Sequence, residues 1–482
     1  MARLSPIKVV GSLPGTNCKE CGEDTCMAFA VKMIDHQLTM DMCTPLIKDP
    51  KYAKKLKTLK EIATPPIRGV TIGKGPKAVV IGDEEVMYRH ELTLYHPTAI
   101  FIDVVDDDLD ELAKRVETTN TWSIYRLGET FRLDGVAIRC KSNNPEQFVK
   151  AIEKTMSVAP DLPIALCSLD PNILRAGAKA AKDKNPLLYA ATKENWEEVC
   201  KIAQEFDLPV VMYSQDLNEL KSLAKTLLSA GSEKIILDPG CAYGEGNVAE
   251  TIDKHIMLKR AAIEDNDKDV GFPTIGVLST LYIGKKKDMA EGERIMLAYE
   301  EGKMAGLMFS NAVNILIMHN LDQWFQLAMV VVRENIYSDP RINPAVDAKL
   351  YEINSPGLDD PVFLTTNYTM TYYTIQSDLQ DMKKPAWLLV ADTEGISVES
   401  AVAGGQFSAT KVADAIKETN LAEKVNHKII IIPGLAARIS GELEQLANWK
   451  VVVGPRDSSG IPGLMKKYDK EALMKQWAEM QE

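Results

Sequence analysis

Between about residue 61 and residue 338, short apolar runs alternate with amphipathic stretches, and no other property of the chain limits its fold so tightly. The runs are Ala78–Asp83, Thr98–Val104, Gly135–Cys140, Pro163–Ser168, Pro186–Ala191, Pro209–Ser214, Lys234–Pro239 and Thr274–Ser279. Several are announced by a turn and a proline, as at Asp161-Leu162-Pro163, Asn185-Pro186 and Asp207-Leu208-Pro209. They are rich in Val, Ile and Leu without polar alternation. That pattern means burial on both faces, hence a parallel sheet. Polar helices such as Asn195–Phe206 and Leu217–Ala230 fill the gaps. Eight such units in roughly 270 residues predict a (β/α)8 barrel of the TIM type, with an open doubly wound sheet as the alternative.

Chemistry on a barrel sits at the carboxyl ends of its strands. On this reading Asp83, Glu84, Asp103, Lys141, Asp170, Lys193, Gln215 and Asp238 lie there. His90 and His96 flank an apolar run and read as structural. With no His or Cys pair placed as a metal site or as nucleophile and base, the barrel reads as a docking surface.

The segment from about 339 changes character. Pro340, Pro344, Pro356 and Pro361 mark an irregular connector. Four strand–turn–helix units follow. Val362–Leu364 leads to a helix from Thr369, Trp387–Ala391 to one from Ser397, Lys428–Ile432 to one from Leu435, and Lys450–Val453 to one from Ile461. The turns are built of Thr, Ser, Gly and Asp at one end of the expected sheet, which in a doubly wound domain is the ligand crevice. Each turn taken alone is equally plain N-capping; four stacked together suggest a binding edge that offers backbone N–H donors. No G-x-G-x-x-G follows a strand and no G-x4-G-K-[ST] occurs, which disfavours dinucleotides and P-loop nucleotides.

At the other end, Cys18, Cys21, Cys26 and Cys43 read C-x2-C-x4-C-x16-C. Three thiolates from one tight turn and a fourth from farther away suit a [4Fe–4S] cluster. Structural zinc also takes four thiolates, though usually from two short knuckles, and ordinary thiols are the third reading. Pro14-Gly15 and Gly22 give the turn its freedom. Cys140, Cys167, Cys200 and Cys241 are scattered in apolar surroundings and read as buried bystanders. A lysine-rich helix over Lys51–Ala63, stopped by Pro65-Pro66, ends this first segment.

The chain of 482 residues carries a net charge of −12, which argues against nucleic acid as the main partner. Residues 1–60 hold ten Lys/Arg against six Asp/Glu, leaving −16 on the rest. A basic module on an acidic body could steer an acidic partner, although a solvated helix explains the lysines as well. No apolar run reaches membrane-spanning length and no signal-type core follows the start, so a reducing cytoplasm and no membrane contact are expected.

Several long stretches, in order from end to end, resemble the large subunit of the corrinoid iron–sulfur protein, the gamma subunit of the acetyl-CoA decarbonylase/synthase complex. They are Leu13–Ala30 with Cys43, Met87–His90, Asp134–Arg139, Asn185–Thr192 and Ile236–Gly240, then Thr365–Thr374, Asp392–Phe407, Ile431–Ala437 and Val453–Gly463. The resemblance implies an α/β chain of three domains: a small N-terminal [4Fe–4S] domain (1–60), a central barrel (61–338) and a C-terminal doubly wound, Rossmann-like cobamide domain (339–482). It implies cluster ligation by Cys18, Cys21, Cys26 and Cys43. Cobamide contacts would come from Thr365, Thr371, Gly395, Ile396, Ser397, Val398 and Ser458.

The family's activity is that of a methyl carrier of the Wood–Ljungdahl pathway. It is a corrinoid-dependent methyltransferase component that takes a methyl group from a methyl-tetrahydrofolate or methyl-tetrahydromethanopterin and passes it to acetyl-CoA synthase, while the cluster reductively reactivates Co(II). Its implied partners are the small corrinoid iron–sulfur subunit, a methyl-tetrahydropterin methyltransferase and CO dehydrogenase/acetyl-CoA synthase. The chain has no D-x-H-x-x-G, the pattern by which many corrinoid proteins give cobalt a histidine; a carrier that must reach Co(I) does better without one. Lys19 departs from the family pattern, standing where glycine is common. A swinging cobamide domain would need a hinge, for which Pro340–Pro361 is the candidate. The reading of a different class is an electron-transfer or scaffold subunit with no corrinoid.

Overall fold

The computed structural model describes residues 5–34, 37–126, 128–244, 246–285, 289–468 and 470–481. It divides into two compact units, Met1–Ile124 with Phe131–Asp339, and Tyr125–Thr130 with Pro340–Glu482.

In the first unit eight parallel strands run β1 (Ala99–Val105), β2 (Gly135–Arg139), β3 (Ile164–Cys167), β4 (Leu187–Ala191), β5 (Val210–Tyr213), β6 (Ile235–Asp238), β7 (Ile275–Val277) and β8 (Ile315–Met318). β1 to β6 pair in chain order, β7 pairs with β8, and β8 pairs back on β1. Between β6 and β7 the ring closes through a bridge, Leu237 to Thr274, with the Leu237 amide donating to the Pro273 carbonyl at 2.8 Å. The barrel expected from the repeat is therefore closed.

Its strand list differs at one place. Ala78–Asp83 is no barrel strand: Val79–Ile81 pairs antiparallel with Val70–Ile72. The alternating exposure of that hairpin, with Val80 outward and Val70, Ile72 and Ile81 buried, shows one face on the barrel and one in water. Those three side chains join the inward residues Ala99, Ile315 and their neighbours in one apolar cluster and plug the amino-terminal end. Glu84 goes with the plug, so it does not lie at the carboxyl ends as expected. It pairs with Lys259 at 2.8 Å and accepts from Asn314 Nδ2 at 2.7 Å, just ahead of β8.

Side-chain caps aim the chain from strand to helix. Asn144 accepts from the amides of Glu146 and Gln147, and Asp170 from that of Asn172, each followed by proline at the first helical position. Such caps are worth about 1 kcal/mol apiece. The helices shield the outer residues of the strands in a second, larger apolar cluster.

The cysteine segment belongs to this unit and has a small core of its own, nine buried residues that include Val9, Leu13, Phe29, Leu46 and Leu59. Helices Cys26–Ile34, Thr44–Lys48 and Ala53–Ala63 build it.

The second unit is a five-stranded sheet in the order β9–β11–β10–β12–β13, formed by β9 (Leu350–Ile353), β10 (Val362–Thr366), β11 (Ala386–Ala391), β12 (Ile429–Ile432) and β13 (Lys450–Val453). Only β9, at the edge, is antiparallel. Apolar clusters lie on both faces, under the helices from Val398, Ala409 and Ser440 on one side and from Thr369 and Lys470 on the other. From β10 the chain steps outward to β11, then returns past it to β12 and β13. The strand order therefore reverses between β10 and β12, which is the Rossmann-like arrangement with its switch point.

The proline-rich stretch is not a loose connector over most of its length. From Asn343 onward it is tied to this sheet: Asn343 Nδ2 donates to the Glu394 carbonyl at 3.1 Å, the Val346 amide to the Asn367 carbonyl at 2.9 Å, and β9 follows.

Candidate functional site

Two sites stand out from the cores around them. At the first, Cys18, Cys21, Cys26 and Cys43 line one hollow with Thr16, Asn17 and Phe29. The turn that carries three of them has four residues at positive φ, Gly15, Asn17, Lys19 and Gly22. Asn17 Oδ1 ties its two ends by accepting from the Cys26 amide at 2.8 Å, and Thr25 Oγ1 caps the helix that starts at Cys26. Cys43 enters from the far side as the residue before Thr44–Lys48. Burial, reinforced by the three neighbouring thiols, pushes its own thiol up. The geometry explains why glycine suits position 19: at φ 64° a side chain costs about 1 kcal/mol. Lys19 takes that strain, and its ammonium pairs with Asp24 at 2.8 Å in solvent. Among the described residues no group of three or more His, Cys, Asp or Glu is gathered to hold a single metal ion.

The second site is a cavity of about 360 Å³ in the second unit, open over the carboxyl ends of β10 and β12. Leu364, Ile431 and Ile432 make its floor. Thr371, Thr374, Ser397, Glu399 and Ser458, on the turns and first two helical turns beyond the strands, make its rim. It sits at the switch point, where a doubly wound sheet leaves a crevice. Four of the residues expected to contact a ligand, Thr371, Ser397, Val398 and Ser458, line it. Thr365, Gly395 and Ile396 do not. Thr365 is fully buried in β10; its hydroxyl and that of Thr366 have no hydrogen-bond partner. Ile396 packs on the core. Gly395, at φ 67°, lies against Asn343, where a Cβ would stand 2.9 Å from the backbone oxygen.

Sequence reasoning missed Asn367, which organises this edge. Its Oδ1 accepts from the Thr393 amide, the Thr393 hydroxyl and the Gly395 amide, each at 3.0 Å, and its Nδ2 donates to Asp392 at 3.0 Å. Asn367→Ala leaves buried donors without an acceptor and is expected to cost about 2–4 kcal/mol. A urea unfolding midpoint that falls accordingly checks it.

The single histidine of residues 340–481, His427, is committed elsewhere. Its Nε2 meets the Asp360 carbonyl at 3.0 Å and its Nδ1 accepts from the Ile429 amide at 3.2 Å, at the start of β12 and so at the end of the sheet away from the cavity. Burial holds it below the usual histidine range.

The mouth of the barrel is the third polar region. Asp103, on β1, takes both arms of Arg139 at 3.1 and 3.0 Å and faces His319 Nδ1 at 3.4 Å. Burial would raise its carboxyl; the bonds from His319 and Arg139 outweigh that and hold it below the usual range. Asp238, on β6, takes the Tyr189 hydroxyl at 2.8 Å. Burial pushes its carboxyl up to about 6. His319 follows β8, which the apolar runs did not reveal, so it went unread. Of the others expected there, Asp170 caps a helix, Lys141 pairs with Asp107, and Lys193 with Glu219. His96 pairs with Asp83 at 3.1 Å, and His90 stacks on Tyr88. Among the described residues no helix is long and apolar enough to cross a membrane.

Residues 69–465 match the family described as CO dehydrogenase/acetyl-CoA synthase delta subunit (CdhD), and residues 13–45 match one described as "Putative Fe-S cluster". The acetyl-CoA decarbonylase/synthase complex subunit gamma 2 of Methanosarcina thermophila is 42% identical over 96% of this chain and 98% of its own length. Subunit gamma of Archaeoglobus fulgidus is likewise 42% identical over 96% and 98%. The solved dihydropteroate synthase of Xanthomonas albilineans covers 52% of this chain and 97% of its own at 15% identity and a TM-score of 0.37; that says no more than the strand order already does. The delta-subunit family leaves out the thiol-bearing segment, whereas the gamma subunits match across it. The chain belongs to the acetyl-CoA decarbonylase/synthase gamma-subunit family.

Proposed function

We propose that the chain is a methyl carrier that holds a cobamide over β10 and β12 and a [4Fe–4S] cluster on Cys18, Cys21, Cys26 and Cys43. The observation that supports it most is the cavity at the switch point: apolar beneath, hydroxyl-bearing at the rim, with no histidine among the residues that line it. When bound, the cobamide supplies a cobalt that accepts and gives up a methyl group, and the cluster supplies one electron at a time. The residues present fit both groups. Four thiols face one hollow, and the buried hydroxyls of Thr365 and Thr366 are orphaned beside the crevice.

The chain's own contribution is to position. Thr371 and Ser397, at the starts of their helices, offer hydroxyls and backbone donors. Leu364, Ile431 and Ile432 exclude water from below. The donor would be a methylated tetrahydropterin and the acceptor an acetyl-CoA synthase. The partners would be the complex's small corrinoid iron–sulfur subunit and a methyltransferase.

Metal analysis of the anaerobically purified chain tests this. About four irons and one cobalt per chain are expected. Ser458→Trp, which fills the cavity, should abolish cobalt retention and leave the iron in place. Iron without cobalt in the native protein would favour the electron-transfer reading, and zinc with neither would overturn both.

A further inference from the structure

The crevice at the switch point of the second unit carries a single cation. The described residues that line it are apolar, hydroxyl-bearing or acidic, with the exception of Arg456. It stands two residues before Ser458, on the turn that follows β13. For a surface turn this one is tightly held. The Gly454 amide donates to the Ile432 carbonyl and the Gly434 amide to the Pro455 carbonyl, both at 2.8 Å. The turns after β12 and β13 lie so close that a Cβ on Gly434 would stand 2.8 Å from the Gly454 oxygen and 2.9 Å from the Arg456 nitrogen. Beyond it, Asp457 Oδ1 accepts from the Ser459 amide at 3.1 Å, and Gly460 abuts the Pro455 ring. The backbone under Arg456 is thus fixed, while its side chain is exposed.

Nothing in the chain answers that charge. Arg139, Arg175, Arg260, Arg294 and Arg333 each pair with a carboxylate. Arg456 has no hydrogen-bond or ion-pair partner among the described residues. Of the two carboxylates that line the same crevice, Asp457 is taken up by Ser459 and Glu399 is unpaired. A guanidinium offers five N–H donors in a planar fork that matches the oxygens of a phosphate. The cobamide of the carrier reading has one anionic group to meet it. The side chains around a corrin ring are neutral amides, and its nucleotide loop is joined on through a phosphodiester with one negative charge. A cavity of about 360 Å³ does not enclose the whole molecule. Residues at its rim therefore meet the periphery of the cofactor, where that phosphodiester lies.

We propose that Arg456 is a specificity-determining residue of this crevice: it receives the phosphodiester of the nucleotide loop, so that the chain selects a complete corrinoid over one stripped of its loop. This deepens the carrier reading, on which it rests, by naming the part of the cofactor that is recognised by charge. The apolar floor and the hydroxyls of Thr371, Ser397 and Ser458 serve any corrinoid alike; Arg456 tells one from another.

The test is equilibrium dialysis of the full chain, carrying its cluster but prepared free of cobalt, against three corrinoids read by their absorbance. Cobalamin has both phosphate and base, cobinamide phosphate has the phosphate alone, and cobinamide has neither. The first two are expected to bind about 5- to 30-fold more tightly than the third. Arg456→Met should bring all three to the level of cobinamide, with the iron content and the urea midpoint unchanged. Arg456→Lys, which keeps the charge and loses the fork, should fall between. Added salt should narrow the preference and leave cobinamide binding where it was. A wild-type chain that binds all three alike overturns the assignment, as does an Arg456→Met variant that keeps the preference. Cobinamide phosphate that behaves like cobinamide also overturns it, because the base and not the phosphate is then what the chain reads. The two failures are told apart by cobinamide itself. Corrinoids bound without preference sink this assignment alone, whereas a chain that binds none of the three sinks the carrier reading with it.

Discussion

Cys43→Ala, in the anaerobically purified chain, is expected to drop iron well below the roughly four atoms of a full cluster and to melt residues 5–60 while the rest stays folded. The first effect follows from the hollow that all four thiols line. The second follows from size. A segment of this length with nine buried core residues is below what apolar burial alone sustains, and small modules of this kind lean on a metal group for their stability. Hydrogen exchange and limited proteolysis, reported separately for 5–60 and for 99–318, check the outcome. Full protection of Phe29 and Leu46 in an iron-free variant would show that the small core stands without the cluster. Zinc retained in place of iron would return the site to the structural-zinc reading.

Lys259→Met is expected to cost about 3–5 kcal/mol, because it strands Glu84 as an unpaired charge. Glu84 and Lys259 are both buried, at 2% and 7% side-chain exposure, and no solvent reaches in to compensate. The double change Glu84→Gln with Lys259→Met is expected to recover most of that loss: it removes both charges and keeps a carbonyl oxygen for Asn314 Nδ2. Urea unfolding of the single and double variants measures the recovery. If the double variant is no more stable than the single one, the pair is not what holds the plug to Asn247–Ile263, the helix that carries Lys259.

The barrel was legible because its strands are buried on both faces, so each shows as an unbroken apolar run. What misled was length. Ala78-Val79-Val80-Ile81 and Ile315-Leu316-Ile317-Met318 are four-residue runs that look alike, and period-two burial cannot be seen in so few positions. Only the structure shows Val80 facing water and Ile315–Met318 pairing with two strands. Because β8 went unseen, so did His319. In the crevice the turns were visible as Thr, Ser and Gly after each strand. Turn chemistry alone does not tell which residue faces a cavity and which braces a neighbour. Hence Thr371 and Ser458 line it, Gly395 abuts Asn343, and Arg456 was not anticipated. Asn367 was invisible because its three acceptor bonds reach a turn 26 to 28 residues away.

The seal at the foot of the barrel also sets an order of events during biosynthesis. Glu84 and Asn314 are 230 residues apart, so at ribosomal speed the hairpin emerges roughly 10–50 s before the strand that locks it. For that interval the apolar face of Val70, Ile72 and Ile81 has nothing finished to rest on. A nascent chain halted before residue 315 should therefore stay bound to chaperones, and one released beyond about 340 should not.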